Sequence, residues 1–119
     1  MAQQPIEHIV LYSFREHKSL STAVQYIKNL AFTAKRNGDL YIRSIKCGTT
    51  RPAENVRSLG FNLASILVFE NDEDRRYFVK DDPAHRELVA FVVGKLGKKI
   101  LVLDFADGVG DCTTRAADC

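Results

Sequence analysis

Hydrophobic and polar positions recur along this chain with two periods, one of two residues and one near 3.6. Residues 6–14, IEHIVLYSF, alternate as a strand. Ile6, His8, Val10, Tyr12 and Phe14 share one face, and Glu7, Ile9, Leu11 and Ser13 share the other. Both faces carry large apolar groups at mid-strand, which implies burial on both sides. Residues 20–36 take the helical period, with Leu20, Ala23, Val24, Ile27, Leu30, Ala31 and Ala34 on one stripe. Ser19 or Ser21 caps the predicted start, Lys35 and Arg36 fall in the last turn, and Gly38 is the predicted stop.

The spacing predicts a second strand over 40–48, placed at a sheet edge because it carries Arg43 and Lys46. A surface loop follows from Thr49 to Gly60, around Pro52. Residues 61–69, FNLASILVF, read as a third strand that is apolar on both faces. A short helix is expected over 71–79, capped by Asn71 with acids in its first turn. Asp82-Pro83 is a strong start for another helix, which runs through Leu88, Val92 and Leu96 and ends at Gly94 or Gly97. Residues 99–105, KILVLDF, form the predicted last strand. The segment 106–119 has no apolar period and is expected to be a flexible C-terminal tail.

The order strand, helix, strand, strand, helix, strand is that of an α+β, ferredoxin-like domain. Such a domain has a four-stranded antiparallel sheet with its helices on one face. The other face is wet in a monomer, yet three of these strands are apolar on both sides. A homodimer through the sheet face, closing into a dimeric α/β barrel, covers it.

Composition narrows the function. The 119 residues suit one domain, 45% of them are hydrophobic, and seventeen Lys and Arg stand against fifteen Asp and Glu. A formal charge of +2 does not argue for nucleic acid or an anionic membrane. No apolar run approaches a membrane span or a secretory leader, and a cytoplasmic protein is expected. Cys47, Cys112 and Cys119 form no C-x-x-C pair, which suits a reduced setting. His8, His85 and Cys47 lack metal-ligand spacing, and no nucleotide-binding or nucleophile-elbow motif occurs. Neither a metal nor an organic cofactor is therefore expected.

The opening HIVLYSF, the Gly60-Phe61 pair, the acidic turn after VFEN, the segment RRYFVKDDPAH and the closing LVLDF together resemble the stress-responsive A/B barrel (Dabb) family. The likeness runs from about Ile6 to Phe105, which makes residues 1–105 the expected domain. The family implies homodimers in which two sheets pack as a barrel. Some members are stress-induced proteins without agreed chemistry. Others are cofactor-free plant polyketide cyclases of the olivetolic acid cyclase type, which close a linear chain by aldol condensation.

By that resemblance His85 is the catalytic histidine and Tyr77 its partner, at a spacing of eight residues, wider than in those cyclases. Tyr12 and Tyr26 are the other tyrosines able to supply the hydroxyl. His8, Tyr26, Ile27 and Leu30 match pocket positions, and Val10, Tyr12, Leu63, Ser65 and Leu67 complete the expected substrate-binding set. His85 stands third in its helix, where the positive helix end favours the neutral imidazole a general base needs. Asp81 is the residue expected to orient its ring. Arg75 or Arg76 is a candidate anchor for a substrate carboxylate at the pocket mouth.

Two functions from different classes follow. One is a cofactor-independent cyclase, lyase or isomerase acting on a polyketide-like molecule by histidine acid/base chemistry. The other is a non-catalytic, stress-responsive homodimer that binds a hydrophobic metabolite. Catalysis requires an open cavity beside His85, whereas a structural histidine is satisfied by backbone in a filled core. An oxygen-using monooxygenase of the dimeric-barrel kind is a third reading.

Overall fold

The computed structural model describes residues 4–51 and 58–110. Pro52, Cys112 and Cys119 lie outside the described residues, as does most of the expected tail. Strand β1 spans Ile6–Phe14 and is followed by helix α1, Lys18–Thr33. Two short strands, β2 (Lys35–Arg36) and β3 (Asp39–Leu40), pair with each other as a hairpin. Strand β4 is Ile42–Thr49, and β5 is Leu63–Phe69. Helices α2 (Asp72–Lys80) and α3 (Pro83–Val93) precede the last strand, β6 (Leu96–Phe105).

Four strands form one antiparallel sheet in the order β4-β5-β1-β6, the ferredoxin-like arrangement, with the helices on one face. β4 is an edge, as its charges suggest, and β6 is the other. The inward face of β1 buries His8, Val10, Tyr12 and Phe14, and that of β5 buries Leu63, Ser65, Leu67 and Phe69. Ile27 and Leu30 of α1, Phe78 of α2, and Leu88 and Val92 of α3 close over them. The Asn62 side chain pins the end of the β1–β5 ladder. Its amide accepts from the Phe14 N–H at 2.9 Å and donates to the Phe14 carbonyl at 2.8 Å.

The outer face of the sheet stays apolar and open. Glu7, Ile9 and Leu11 of β1 stand opposite Phe105, Leu103 and Leu101 of β6 on that side. Leu101, Leu103 and Phe105 are each between 41% and 51% exposed. Ile66 and Val68 of β5 continue the patch.

Four local expectations are corrected. α1 begins at Lys18, so Ser19 and Ser21 lie inside it, and His17 occupies the cap position without a side-chain bond. α1 ends at Thr33, and Lys35 and Arg36 belong to the hairpin instead. Gly38 is no helix stop. Asn37 and Gly38 both have positive φ, 55° and 83°, as the two central residues of a tight hairpin of the primed type require. α3 ends at Val93 with Gly94 at its cap, so Leu96 opens β6 three residues earlier than expected, opposite Phe14.

The two helix starts behind the cavity rest on local side-chain bonds. Asn71 accepts from the Asp74 N–H at 2.8 Å. Asp82, 1% exposed, accepts from the Ala84 N–H at 2.8 Å with one oxygen and from the Tyr41 hydroxyl with the other. Removing that carboxylate uncaps α3 and strands a partly buried phenol. Asp82→Ala is expected to lower the unfolding free energy by about 2–4 kcal/mol in urea titrations. The exposed neighbour is a control: Asp81→Ala is expected to cost less than about 0.5 kcal/mol.

Candidate functional site

A cavity of about 300 Å³ lies between the inward face of the sheet and helices α2 and α3. Period-two alternation brings His8, Val10 and Tyr12 of β1 to its wall, together with Ser65 and Leu67 of β5. Ile100, Val102 and Asp104 arrive from β6 by the same rule. The helical period supplies Ile27 and Leu30 from α1, Arg75, Phe78 and Val79 from α2, and His85, Leu88, Val89 and Val92 from α3. Val79, Val89, Ile100 and Val102 are each at least 39% exposed, so the cavity opens along β6.

Polar groups concentrate at one end. His8 is buried, and its Nδ1 lies 2.6 Å from Asp104 Oδ1. With the carboxylate as acceptor, Nδ1 carries the proton and Nε2 is the free ring nitrogen. The other oxygen of Asp104 lies 3.5 Å from the Arg75 guanidinium, whose Nε is 2.7 Å from Asp72. Arg75, Asp104 and His8 thus form one chain of charge-assisted contacts. Phe78 stands against both imidazoles, 6.0 Å from His8 and 4.6 Å from His85, centroid to centroid.

His85 sits at the third position of α3, facing this group. Among the described residues its side chain has no hydrogen-bond partner. Burial lowers its pKa below the ordinary 6.5, the neighbouring His8 adds to the fall, and Asp82 opposes it. A neutral imidazole at neutral pH results, in a pocket whose other walls are mostly apolar. At the opposite end, burial pushes the Tyr12 hydroxyl up to about 12. The neighbouring Ser65 hydroxyl tempers that rise without completing a hydrogen bond.

Of the residues expected from sequence, His8, Val10, Tyr12, Ile27, Leu30, Ser65, Leu67 and His85 meet in this cavity. Tyr77, Tyr26 and Leu63 do not. The Tyr77 hydroxyl donates to the Lys35 carbonyl at 3.0 Å, and its ring packs edge-on against Tyr41. On α2 the inward positions are 75, 78 and 79, so Tyr77 is turned about 100° away from Phe78 and does not reach His85. Tyr26 is 41% exposed and stacks on Phe91 at 4.3 Å, outside the cavity. Leu63 is fully buried in the core. Asp81 is exposed and does not orient His85 among the described bonds, while its neighbour Asp82 holds the helix start.

Asp104 is not among the site residues expected from the sequence. Its signal is a carboxylate set inside the apolar run of the last strand, two residues beyond Val102 on the inward face. Cys47 is a half-buried free thiol that burial pushes up to about 11, so it stays protonated at neutral pH. Among the described residues no group of three His, Cys, Asp or Glu is placed to hold a metal ion. No described helix is long and apolar enough to cross a membrane.

A two-layer, ferredoxin-like α+β domain with a histidine-bearing cavity under its helices is the class of protein defined here. The chain belongs to the stress responsive A/B barrel domain family, whose pattern it matches over residues 6–107. The fold is similar to that of an Arabidopsis thaliana protein, at 22% identity and a TM-score of 0.69, covering 90% of this chain and 99% of that one. It is equally similar to a hydroxynitrile lyase from Passiflora edulis, at 22% identity and a TM-score of 0.69, covering 92% and 98%. A dimeric protein of unknown function from Bacteroides fragilis has 18% identity and a TM-score of 0.68, covering 89% and 99%. No curated protein matches the chain in sequence.

The lowered pKa of His85 ties it to stability. The unfolded chain binds a proton near pH 6.5 and the folded chain does so only at lower pH. The contribution of His85 is therefore complete above 6.5 and is lost as pH falls through that value toward the folded pKa. In an NMR titration the His85 ring is expected to titrate below 6.5. Replacing it by His85→Gln is expected to flatten the fall in unfolding free energy just below that pH.

Proposed function

We propose that this cavity performs cofactor-independent acid/base chemistry on a small, largely apolar carbonyl compound of polyketide-like structure. The observation that carries the proposal is the pair of imidazoles at one end of a mostly apolar cavity, one neutral and one held by a carboxylate. A histidine kept only for packing has no need of an open cavity beside it. The similar fold of a hydroxynitrile lyase supports the lyase class.

In this reading neutral His85 takes a proton from the carbon next to a carbonyl. The electron pair moves onto the carbonyl oxygen at the polar end, where Asp104 holds the His8 ring. Arg75 at the mouth adds positive charge. The aliphatic walls raise the strength of each hydrogen bond and hold the chain folded on itself. The enolate carbon then attacks a second carbonyl of the same molecule, forming a carbon–carbon bond. The new alkoxide takes back the proton that His85 removed, so no oxidant or metal enters the balance. Run in reverse, the same steps cleave such a bond.

The working unit in this proposal is residues 1–105, with 106–119 as an appended tail, in the reducing cytoplasm. It is a homodimer through the outer sheet face. Leu101, Leu103 and Phe105 give that face its apolar surface, and relatives of the same fold are described as dimeric.

Two experiments test this. Wild type, His85→Ala and Asp104→Asn are incubated with a panel of poly-β-ketone chains, and products are followed by mass and ultraviolet absorbance. Wild type is expected to shift the products away from the spontaneous ones. His85→Ala is expected to lose at least about 100-fold in rate, and Asp104→Asn at least about tenfold, with both still folded. Spontaneous products from wild type across the panel would sink the catalytic reading in favour of metabolite binding. Separately, light scattering is expected to give twice the chain mass for wild type and a single chain mass for Leu103→Asp.

A further inference from the structure

The acid/base chemistry above uses one end of the cavity and leaves the Ser65 hydroxyl without a role. Ser65 is 1% exposed, and its Oγ has no hydrogen-bond partner among the described residues. The other inward positions of β5 are Leu63, Leu67 and Phe69, so a polar side chain breaks an apolar pattern there. Ser65 nevertheless lines the ligand cavity, beside Val10 and Tyr12. A buried hydroxyl without a partner costs stability, and an alanine of similar volume fills the position without that cost. An orphan hydroxyl facing an apolar cavity is what a ligand oxygen needs in order to be recognised there.

We infer that Ser65 is a specificity-determining residue: it binds a second oxygen function of the ligand, remote from the carbonyl that reacts at His8 and His85. This deepens the proposed function and rests on it for the position of the first carbonyl. The register gives the distance between the two ends. Ser65 stands opposite Val10, two residues along β1 from His8. Ser65 is thus the diagonal cross-strand neighbour of His8, about 7–8 Å away. A ligand chain covers that length in about six bonds, as two extended residues do. The ligand class is therefore an aliphatic ketone with a hydroxyl or second carbonyl about six bonds away. Tyr12, next along the same face, supplies a second hydroxyl near Ser65.

The test compares 2-octanone with 8-hydroxyoctan-2-one, whose oxygen-bearing carbons are six bonds apart. Each is titrated by NMR into wild type, Ser65→Ala and Ser65→Thr, and the two Kd values are taken as a ratio within each protein. The ratio cancels the general cost of moving a hydroxyl out of water. The expected result is a ratio favouring the hydroxyketone about tenfold more in wild type than in Ser65→Ala, the value of one hydrogen bond. Ser65→Thr, which keeps the hydroxyl, is expected to retain most of the preference. Ser65→Ala without ligand is expected to melt no lower than wild type. Equal ratios in wild type and Ser65→Ala, with both ketones bound, overturn the role of Ser65 and leave the proposed function standing. Failure of wild type to bind either ketone overturns both. A lower melting temperature for Ser65→Ala with unchanged ratios assigns Ser65 to structure and also overturns the inference.

Discussion

The carboxylate of Asp82 is the point on which the cavity's geometry turns. A buried carboxylate is costly unless its oxygens are matched by donors. Asp82 is matched twice, by the first turn of α3 and by the Tyr41 hydroxyl just ahead of β4. Burial and this bond to a carboxylate together push the Tyr41 hydroxyl well above the ordinary phenol range, so it remains a donor. These two bonds fix where α3 starts relative to the sheet. His85 follows three residues later, in the first turn, where the backbone is most rigidly set by the cap. The imidazole is thus placed from behind, by a residue that does not line the cavity.

From that placement the division of the cavity follows. One end gathers Arg75, Asp104, His8 and His85, and the remainder is aliphatic apart from Phe78, Ser65 and Tyr12. The two histidines differ because their surroundings differ. Both rings stand against Phe78, but His8 has a carboxylate partner at 2.6 Å, while the His85 side chain has no hydrogen-bond partner among the described residues.

Local signals in the sequence proved reliable where the physics is local. The bounds of β1, the Asn71 cap and the Asp82-Pro83 start are each set by residues within one turn or one strand. Alternation placed His8, Val10, Tyr12, Ser65 and Leu67 on one face, and the helices do cover that face. The failures have equally specific causes. Gly38 fits a helix stop by itself, but the pair Asn37-Gly38 is a strong hairpin signal, and the hairpin prevails. Tyr77 adjoins the inward Phe78, and on a helix one position is a rotation of about 100°, enough to face a different element. The His8–Asp104 pair joins residues 96 apart in sequence, so only the β1–β6 register reveals it.

β6 carries two functions on opposite sides of one backbone. Ile100, Val102 and Asp104 form a wall of the cavity, and Leu101, Leu103 and Phe105 form the open outer face. As an edge strand it is paired on one side only, with β1. Because side chains alternate across one backbone, a one-residue slip of β6 against β1 exchanges the two sets, turning Val102 and Asp104 outward and Leu101 and Leu103 toward the cavity, so the register that builds the wall also fixes the outer face.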